Sequence, residues 1–367
     1  MKGTWGSGSS ARGTTALPGI HAMRLVNLSS FRSARSDIRS VIFCPGQLLW
    51  EVTSAKSSMK KFLILVLSTF SLLPFDAGAQ SERRKVFILA GQSNMEGQGS
   101  VDHDGERDYN GGKGNLVWSM ANSKSADKMK KLKNEKGEWV VRDDVGISFK
   151  VGDEVLKGGL TVGYTGYAAD GSRRHIGPEL GFGFMLGDFY KEPVLLIKTA
   201  WGGKSLYEDF RPPSSGGRLG LYYTKMVEEI RAALADLGDQ NYELAGFYWQ
   251  QGWNDMCTAP AIPEYAQNLV NLVSDLRKEF NAPNMPVVVG ELGNGGPVTE
   301  GEMFEFRKAQ EEGTKQIKNA VFIKTTDFAR PAELSPCPGH GHHWFANAES
   351  YFLIGEAAGE GMKSLLK

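Results

Sequence analysis

Lys85-Val86-Phe87-Ile88-Leu89-Ala90-Gly91-Gln92-Ser93-Asn94-Met95 decides how the rest of the chain is read. Val86–Ala90 is an apolar run without polar alternation, the pattern of a strand buried on both faces. The run breaks at a tight Gly-Gln-Ser-Asn turn, and a helix start follows. A serine just past such a strand stands at the top of a sheet, where the N-terminus of the next helix stabilises negative charge. That is the setting of a nucleophile. The spelling is not the GxSxG elbow, so a generic α/β-hydrolase is set aside. A plainer role, Ser93 as the N-cap of the next helix, stays open on these residues alone.

Outward from this turn, apolar runs alternate with helix-period stretches. Strands are predicted at Val86–Ala90, Val194–Thr199, Leu244–Gln250, Pro286–Glu291 and Val321–Thr325. Helices are predicted at Pro178–Tyr190, Leu221–Leu237, Pro263–Phe280, Met303–Lys318 and Asn347–Leu366. This order implies a parallel sheet between two layers of helices, with ligand sites beyond the carboxyl ends of the strands. Residues Ser100 to Arg174, long, polar and Gly-rich, read as an insertion with some β-structure of its own near the pocket rim.

The bulk properties set limits. The chain has 367 residues, 41% hydrophobic and 23% charged, with zero formal net charge. No broad field points to nucleic acid or to an anionic membrane. Its three cysteines, Cys44, Cys257 and Cys337, fit neither a disulfide miniprotein nor CxxC zinc spacing. Met59-Lys60-Lys61, the apolar run Phe62–Leu73 and Ala77-Gly78-Ala79 follow the order of a secretory signal peptide. The run is shorter than the roughly 20 residues a bilayer span needs. Met59 then reads as the true start, residues 1–58 as a disordered extension from an overlong gene start, and residues 59–79 as a cleaved leader. Residues 80–367 would be an exported domain, secreted or periplasmic, with no membrane attachment after cleavage.

Three more segments follow strands or precede a helix. Thr199-Ala200-Trp201-Gly202-Gly203-Lys204 places paired glycines after a strand, where a backbone N–H can reach a ligand oxygen. Walker spacing, which would mark a phosphate cradle, is absent. Gln251-Gly252-Trp253-Asn254-Asp255 brings an amide that can serve as a second oxyanion donor. Cys337-Pro338-Gly339-His340-Gly341-His342-His343-Trp344 holds three of the six histidines and suits a general base. A metal reading of these histidines lacks an HExxH or cysteine cluster to complete it. No metal and no cofactor are expected.

These blocks resemble the SGNH hydrolase superfamily, named for its Ser, Gly, Asn and His. Gly91-Gln92-Ser93-Asn94-Met95, Gly177-Pro178-Glu179, Trp201-Gly202-Gly203 and Trp249–Asp255 look like the sialate O-acetylesterase and acetylxylan esterase group, carbohydrate esterase family 6. The resemblance implies a flavodoxin-like three-layer α/β/α sandwich with a five-stranded parallel sheet and metal-free ester hydrolysis. It implies Ser93 as nucleophile and His343 as base, with His340 and His342 as alternatives. Ser93, Gly202, Gly203 and Asn254 would form the oxyanion hole, and Gln92, Trp201, Gln251 and Trp253 would meet substrate. The superfamily usually carries Asp three residues before its histidine, where His340 stands here. Asp327 and Asp255 are the substitutes, or a backbone carbonyl orients the ring and the machinery is a dyad. Export would permit a disulfide between Cys257 and Cys337.

The expected reaction is removal of O-acetyl groups from carbohydrate, of acetylxylan or sialate type, through an acetyl-enzyme. Tyr207, Trp249 and Trp344, with Trp201 and Trp253, are aromatics that stack on sugars or pack in the core. The alternatives are a carbohydrate-binding protein that has lost catalysis and a lipase- or thioesterase-like hydrolase. Acetylated carbohydrate is the expected partner. The oligomeric state leaves no mark on the sequence.

Overall fold

The computed structural model describes residues 83–103, 109–167 and 174–367. The expected extension and signal peptide lie outside the described residues.

The strands are β1 (Arg84–Gly91), β2 (Gly99–Ser100), β3 (Val145–Val151), β4 (Glu154–Gly159), β5 (His175–Ile176), β6 (Val194–Ala200), β7 (Tyr242–Gln250), β8 (Val287–Gly290) and β9 (Ala320–Ile323). The α-helices are α1 (Ser93–Glu96), α2 (Leu116–Asn122), α3 (Ala126–Met129), α4 (Pro178–Phe189), α5 (Leu221–Ala235), α6 (Trp253–Met256), α7 (Ile262–Glu279), α8 (Glu302–Lys315) and α9 (Ala348–Leu365).

The main sheet runs β4-β3-β6-β1-β7-β8-β9, and every pairing except β3–β4 is parallel. Its last five strands are the five predicted from apolar runs. In chain order they stand 2-1-3-4-5, the flavodoxin-like order, with a switch point at β1. The sheet has seven strands rather than five because the insertion adds two. In β3, Val145, Ile147, Ser148 and Phe149 are buried while Gly146 and Lys150 are not, and β4 lies outside it at the sheet edge. β3 joins β6 in parallel and β4 folds back on it. The insertion therefore extends the main sheet rather than forming structure apart from it. Its stem is closed by the short antiparallel ladder of β2 on β5, Gly99 opposite Ile176 and Ser100 opposite His175.

Alternation along β1 sorts the core into two layers. Phe87 and Leu89 pack with residues of α4 and α9, whereas Val86, Ile88 and Ala90 pack with residues of α5, α7 and α8. α4 and α9 meet almost backbone to backbone. A Cβ on Gly181 would stand 2.2 Å from the Phe352 carbonyl oxygen, and one on Gly355 would stand 2.0 Å from that of Pro178.

A buried ion pair interrupts this apolar packing. Lys198 of β6 and Glu179 of α4 form an ion pair at 2.8 Å with both side chains 0% exposed. The ammonium also donates to the carbonyls of Glu96 (2.9 Å) and Tyr164 (2.7 Å), so its three protons are all used. Glu179 accepts in addition from the Gly177 N–H at 2.8 Å. Burial pushes the Lys198 pKa down, and the Glu179 carboxylate opposes that fall. The pair explains the Gly-Pro-Glu spelling in physical terms: its glutamate anchors the lysine that holds the end of α1. Removing one partner leaves an uncompensated charge, so Lys198→Met is expected to cost about 3–5 kcal/mol of unfolding free energy in urea titration, and a loss under about 1 kcal/mol would contradict this.

Candidate active site

The turns after β1, β6 and β7 meet at the carboxyl edge of the sheet, at the switch point. α1 begins at Ser93, and its N-cap is Gln92, which makes no side-chain capping bond. The N-cap role considered for Ser93 is thus not the one it takes. Its Oγ lies 3.0 Å from Nε2 of His343. Of the three histidines in that loop, His343 alone reaches Ser93 among the described residues.

Gln92 fixes the turns relative to one another. Its Oε1 accepts from the N–H groups of Gly252 (3.1 Å) and Asn254 (3.4 Å) and from the Gln251 amide (3.3 Å). Its Nε2 donates to Asn254 Oδ1 at 3.3 Å. The Asn254 carbonyl is therefore committed, and its Nδ2 points the other way, donating to the Gly203 carbonyl at 2.9 Å. One Nδ2 proton remains for a ligand. The backbone N–H of Ser93 has no protein acceptor among the described residues, which suits it to an oxyanion. Gly203 has φ +69°, a left-handed turn that only glycine adopts without strain. The Gly202 N–H instead faces the Glu96 carboxylate. Of the paired glycines, Gly203 is the one left to donate.

Several expected contacts take other roles. Gln92 and Gln251 are each only 2% exposed, and their amides are consumed inside the protein. Gln251 Nε2 donates to the Lys204 carbonyl (3.0 Å) and to Asp255 (2.5 Å), and its Oε1 accepts from the Tyr265 hydroxyl at 3.0 Å. Both glutamines build the site rather than touch substrate. Asp255 is not the partner of His343: its carboxylate accepts from the N–H groups of Leu206 (2.8 Å) and Tyr207 (2.9 Å). Burial raises its pKa to about 6. Nor does Asp327 meet His343. It lies in the 3-10 turn Thr326–Phe328, where its carbonyl accepts from Arg330. Trp249 and Trp344 are core residues, and Trp201 packs on Phe210 and Tyr222. Trp253 stays partly exposed at the rim, its ring 5.7 Å from that of His342.

Among the described residues no carboxylate neighbours His343. Burial, together with the charges of His342 and His340, lowers its pKa to about 3. Its loop is held from three sides. Asn94 and Asn294 donate to the His342 carbonyl at 3.2 and 3.0 Å. The Tyr351 hydroxyl donates to Asn94 Oδ1 at 2.8 Å. Just beyond, Trp344, Phe345 and Ala346 have φ of +53°, +56° and +58°. Three consecutive non-glycine residues in this region cost roughly 1–2 kcal/mol each, strain of the kind kept where geometry serves function. The expected disulfide does not form. Cys257 is exposed after α6, whereas Cys337 is buried beside Tyr109 and Ala346, and neither is in a disulfide. The Asn and His loops meet instead through the rings of Trp253 and His342.

The site includes side chains that sequence reasoning passed over. Gln98 Nε2 lies 3.3 Å from His343 Nε2. Glu96, Asn94, Asn294, Tyr167 and Tyr351 surround the pair. Glu96 and Gln98 were marked only by their distance from Ser93. Among the described residues no cluster of three or more His, Cys, Asp or Glu is placed to hold a metal ion, and no helix is long and apolar enough to cross a membrane.

A 2-1-3-4-5 parallel sheet with a serine hydroxyl against an imidazole at its switch point is consistent with a hydrolase of the SGNH class. Residues 83–335 match the family described as carbohydrate esterase, sialic acid-specific acetylesterase. The chain belongs to this family and is a carboxylic ester hydrolase. The match ends before His343, so the histidine stands on geometry. The chain is 24% identical over 231 residues to a probable carbohydrate esterase of Arabidopsis thaliana, covering 62% of this chain and 74% of that one. Two solved structures are also similar. An Arabidopsis thaliana protein has a TM-score of 0.49 at 18% identity, with 77% of this chain and 98% of that one covered. A carbohydrate acetylesterase from Xanthomonas citri has a TM-score of 0.46 at 14% identity, with 76% and 57% covered.

Asp255→Asn would turn an amide N–H toward one of the two backbone donors now satisfied. An unfolding free-energy loss of roughly 1–3 kcal/mol is expected from denaturant titration, and no change beyond about 0.5 kcal/mol would remove Asp255 as the anchor of the 204–207 loop.

Proposed function

We propose that this protein removes O-acetyl groups from carbohydrate, of acetylxylan or sialate type, through an acetyl-enzyme on Ser93. The observation that carries this reading is the 3.0 Å approach of Ser93 Oγ to His343 Nε2 at the switch point. Family membership supplies the substrate class.

Ser93 Oγ attacks the acetyl carbonyl carbon while His343 Nε2 takes its proton. The carbonyl oxygen becomes an oxyanion, met by the N–H groups of Ser93 and Gly203 and the spare N–H of Asn254. Each such donor is worth about 2.7–4 kcal/mol in a transition state of this kind. The carbon–sugar-oxygen bond then breaks, and His343 returns the proton to the sugar. Water repeats the sequence on the acetyl-enzyme and releases acetate. With no carboxylate beside it among the described residues, His343 acts in a dyad. The Met59 leader supports an exported enzyme meeting glycan outside the cytoplasm.

Acetate release from acetylated xylan and from O-acetylated sialoside, followed by enzymatic assay, tests this directly. Ser93→Ala is expected to reduce it by about 10⁴-fold or more, and turnover that survives the substitution would refute the nucleophile. The pH profile is a second test. Neutral His343 is the active form, and its pKa is depressed to about 3. Activity should therefore persist as pH falls through the ordinary histidine range, with the acid limb of kcat/KM well below it. A limb at about pH 6.5–7, the ordinary histidine range, would show that burial does not depress His343.

A further inference from the structure

Beside the Ser93–His343 pair runs a chain of polar groups that the mechanism above leaves unused. Gln98 Nε2 lies 3.3 Å from His343 Nε2, the nitrogen that also faces Ser93. The Tyr167 hydroxyl is hydrogen-bonded to both the Gln98 amide and the Glu96 carboxylate. Glu96 sits against Gly202: a Cβ there would stand 3.0 Å from Tyr167 Oη, 3.4 Å from Glu96 Oε2 and 3.8 Å from Ser93 Cβ. The absence of a side chain at Gly202 thus lets all three approach. The Glu96 backbone is pinned in turn, its carbonyl accepting from buried Lys198 at 2.9 Å.

The donor pattern sets the orientation of Gln98. An ionised carboxylate only accepts, so Tyr167 donates its single proton to Glu96. The phenol oxygen can then only accept from Gln98, which it does from the amide nitrogen. The other proton on that nitrogen points toward His343 Nε2. In the unliganded site this proton and the Ser93 hydroxyl share the one lone pair of Nε2. Substrate relieves that competition, because the ester's sugar oxygen must lie within reach of Nε2 to receive its proton.

We propose that Gln98 is a further catalytic residue: its amide N–H donates to the departing sugar oxygen as the acyl bond breaks, and Tyr167 and Glu96 are positioning residues that aim it. The inference rests on the acetylesterase reading. No proton leaves Gln98. Ser93 Oγ bonds the acetyl carbon, the carbon–sugar-oxygen bond breaks, and the Ser93 proton reaches the sugar oxygen through His343, with Gln98 steadying the negative charge on that oxygen meanwhile. An alkoxide holds its negative charge poorly, so a second N–H on that oxygen matters most for a poor leaving group.

The test compares esters of one acyl group that differ in leaving group: 4-nitrophenyl acetate, whose phenolate departs unaided, and a methyl glycoside acetate, whose alkoxide does not. Gln98→Leu is expected to lower kcat on the sugar acetate about 10- to 100-fold, with several-fold less loss on the nitrophenyl ester and little change in KM. Tyr167→Phe should reproduce the same leaving-group dependence more weakly, and Gln98→Asn should fail to restore it because its shorter stem withdraws the N–H. Equal losses on both esters, or a loss confined to KM, would overturn the proposal and leave Gln98 a packing or binding residue. Wild-type protein inactive on both esters would instead defeat the acetylesterase reading, so the two failures are distinguishable. Circular dichroism melting of each variant separates misfolding from either outcome.

Discussion

A single buried amide ties the site together. Gln92 receives three donors from the β7 turn on its oxygen and gives one proton back to Asn254. An amide can accept and donate on opposite atoms, which a carboxylate or hydroxyl of similar size cannot do in this arrangement. The nucleophile therefore cannot shift without carrying the β7 turn, and Asn254 cannot rotate its carbonyl into the oxyanion position. Preorganisation of this kind makes a fixed donor worth far more than a solvent molecule of the same polarity.

Two further supports converge on the same few residues. From below, Lys198 holds the end of α1 through the Glu96 carbonyl, with its charge matched by Glu179. From the side, Asn94 links the nucleophile helix to the histidine loop and is itself oriented by Tyr351. The left-handed run Trp344–Ala346 is the strained element in this arrangement, and it lies directly beyond His343. Packing of Trp344 and the Cys337–Phe345 backbone hydrogen bond, 2.8 Å long, hold it in place. Covalent cross-linking of the loops has no part in this.

Much of the fold was legible because β1, β6, β7 and β8 are buried on both faces and so read as apolar runs, and the partly buried edge strand β9 keeps the same spelling. β3 escaped because Gly146, Ser148 and Lys150 interrupt its apolar residues, and that weaker signal sits among polar, Gly-rich sequence. The site was legible where chemistry requires particular residues after a strand: Ser93, Gly203 and Asn254 are where the order of motifs placed them. It was illegible where a polar residue can face either inward or outward. Gln251 and Asp255 stand in the motif, yet their partners lie across the site, at Lys204, Leu206, Tyr207 and Tyr265. Their structural roles follow from tertiary contacts that no local pattern carries. Gln98 and Tyr167 illustrate the same limit from the other direction, since two side chains far apart in sequence are joined by one hydrogen bond.

The central claim is that Ser93 is a nucleophile activated by His343 without a carboxylate. Covalent labelling with an aryl phosphonate ester, followed by intact-mass measurement and peptide mapping, tests it without reference to any glycan. The expected result is one adduct per chain on Ser93, formed at least about 100-fold more slowly in His343→Ala and at a rate close to wild type in Asp327→Ala. Labelling at another residue, or an equal rate in His343→Ala, would contradict the claim.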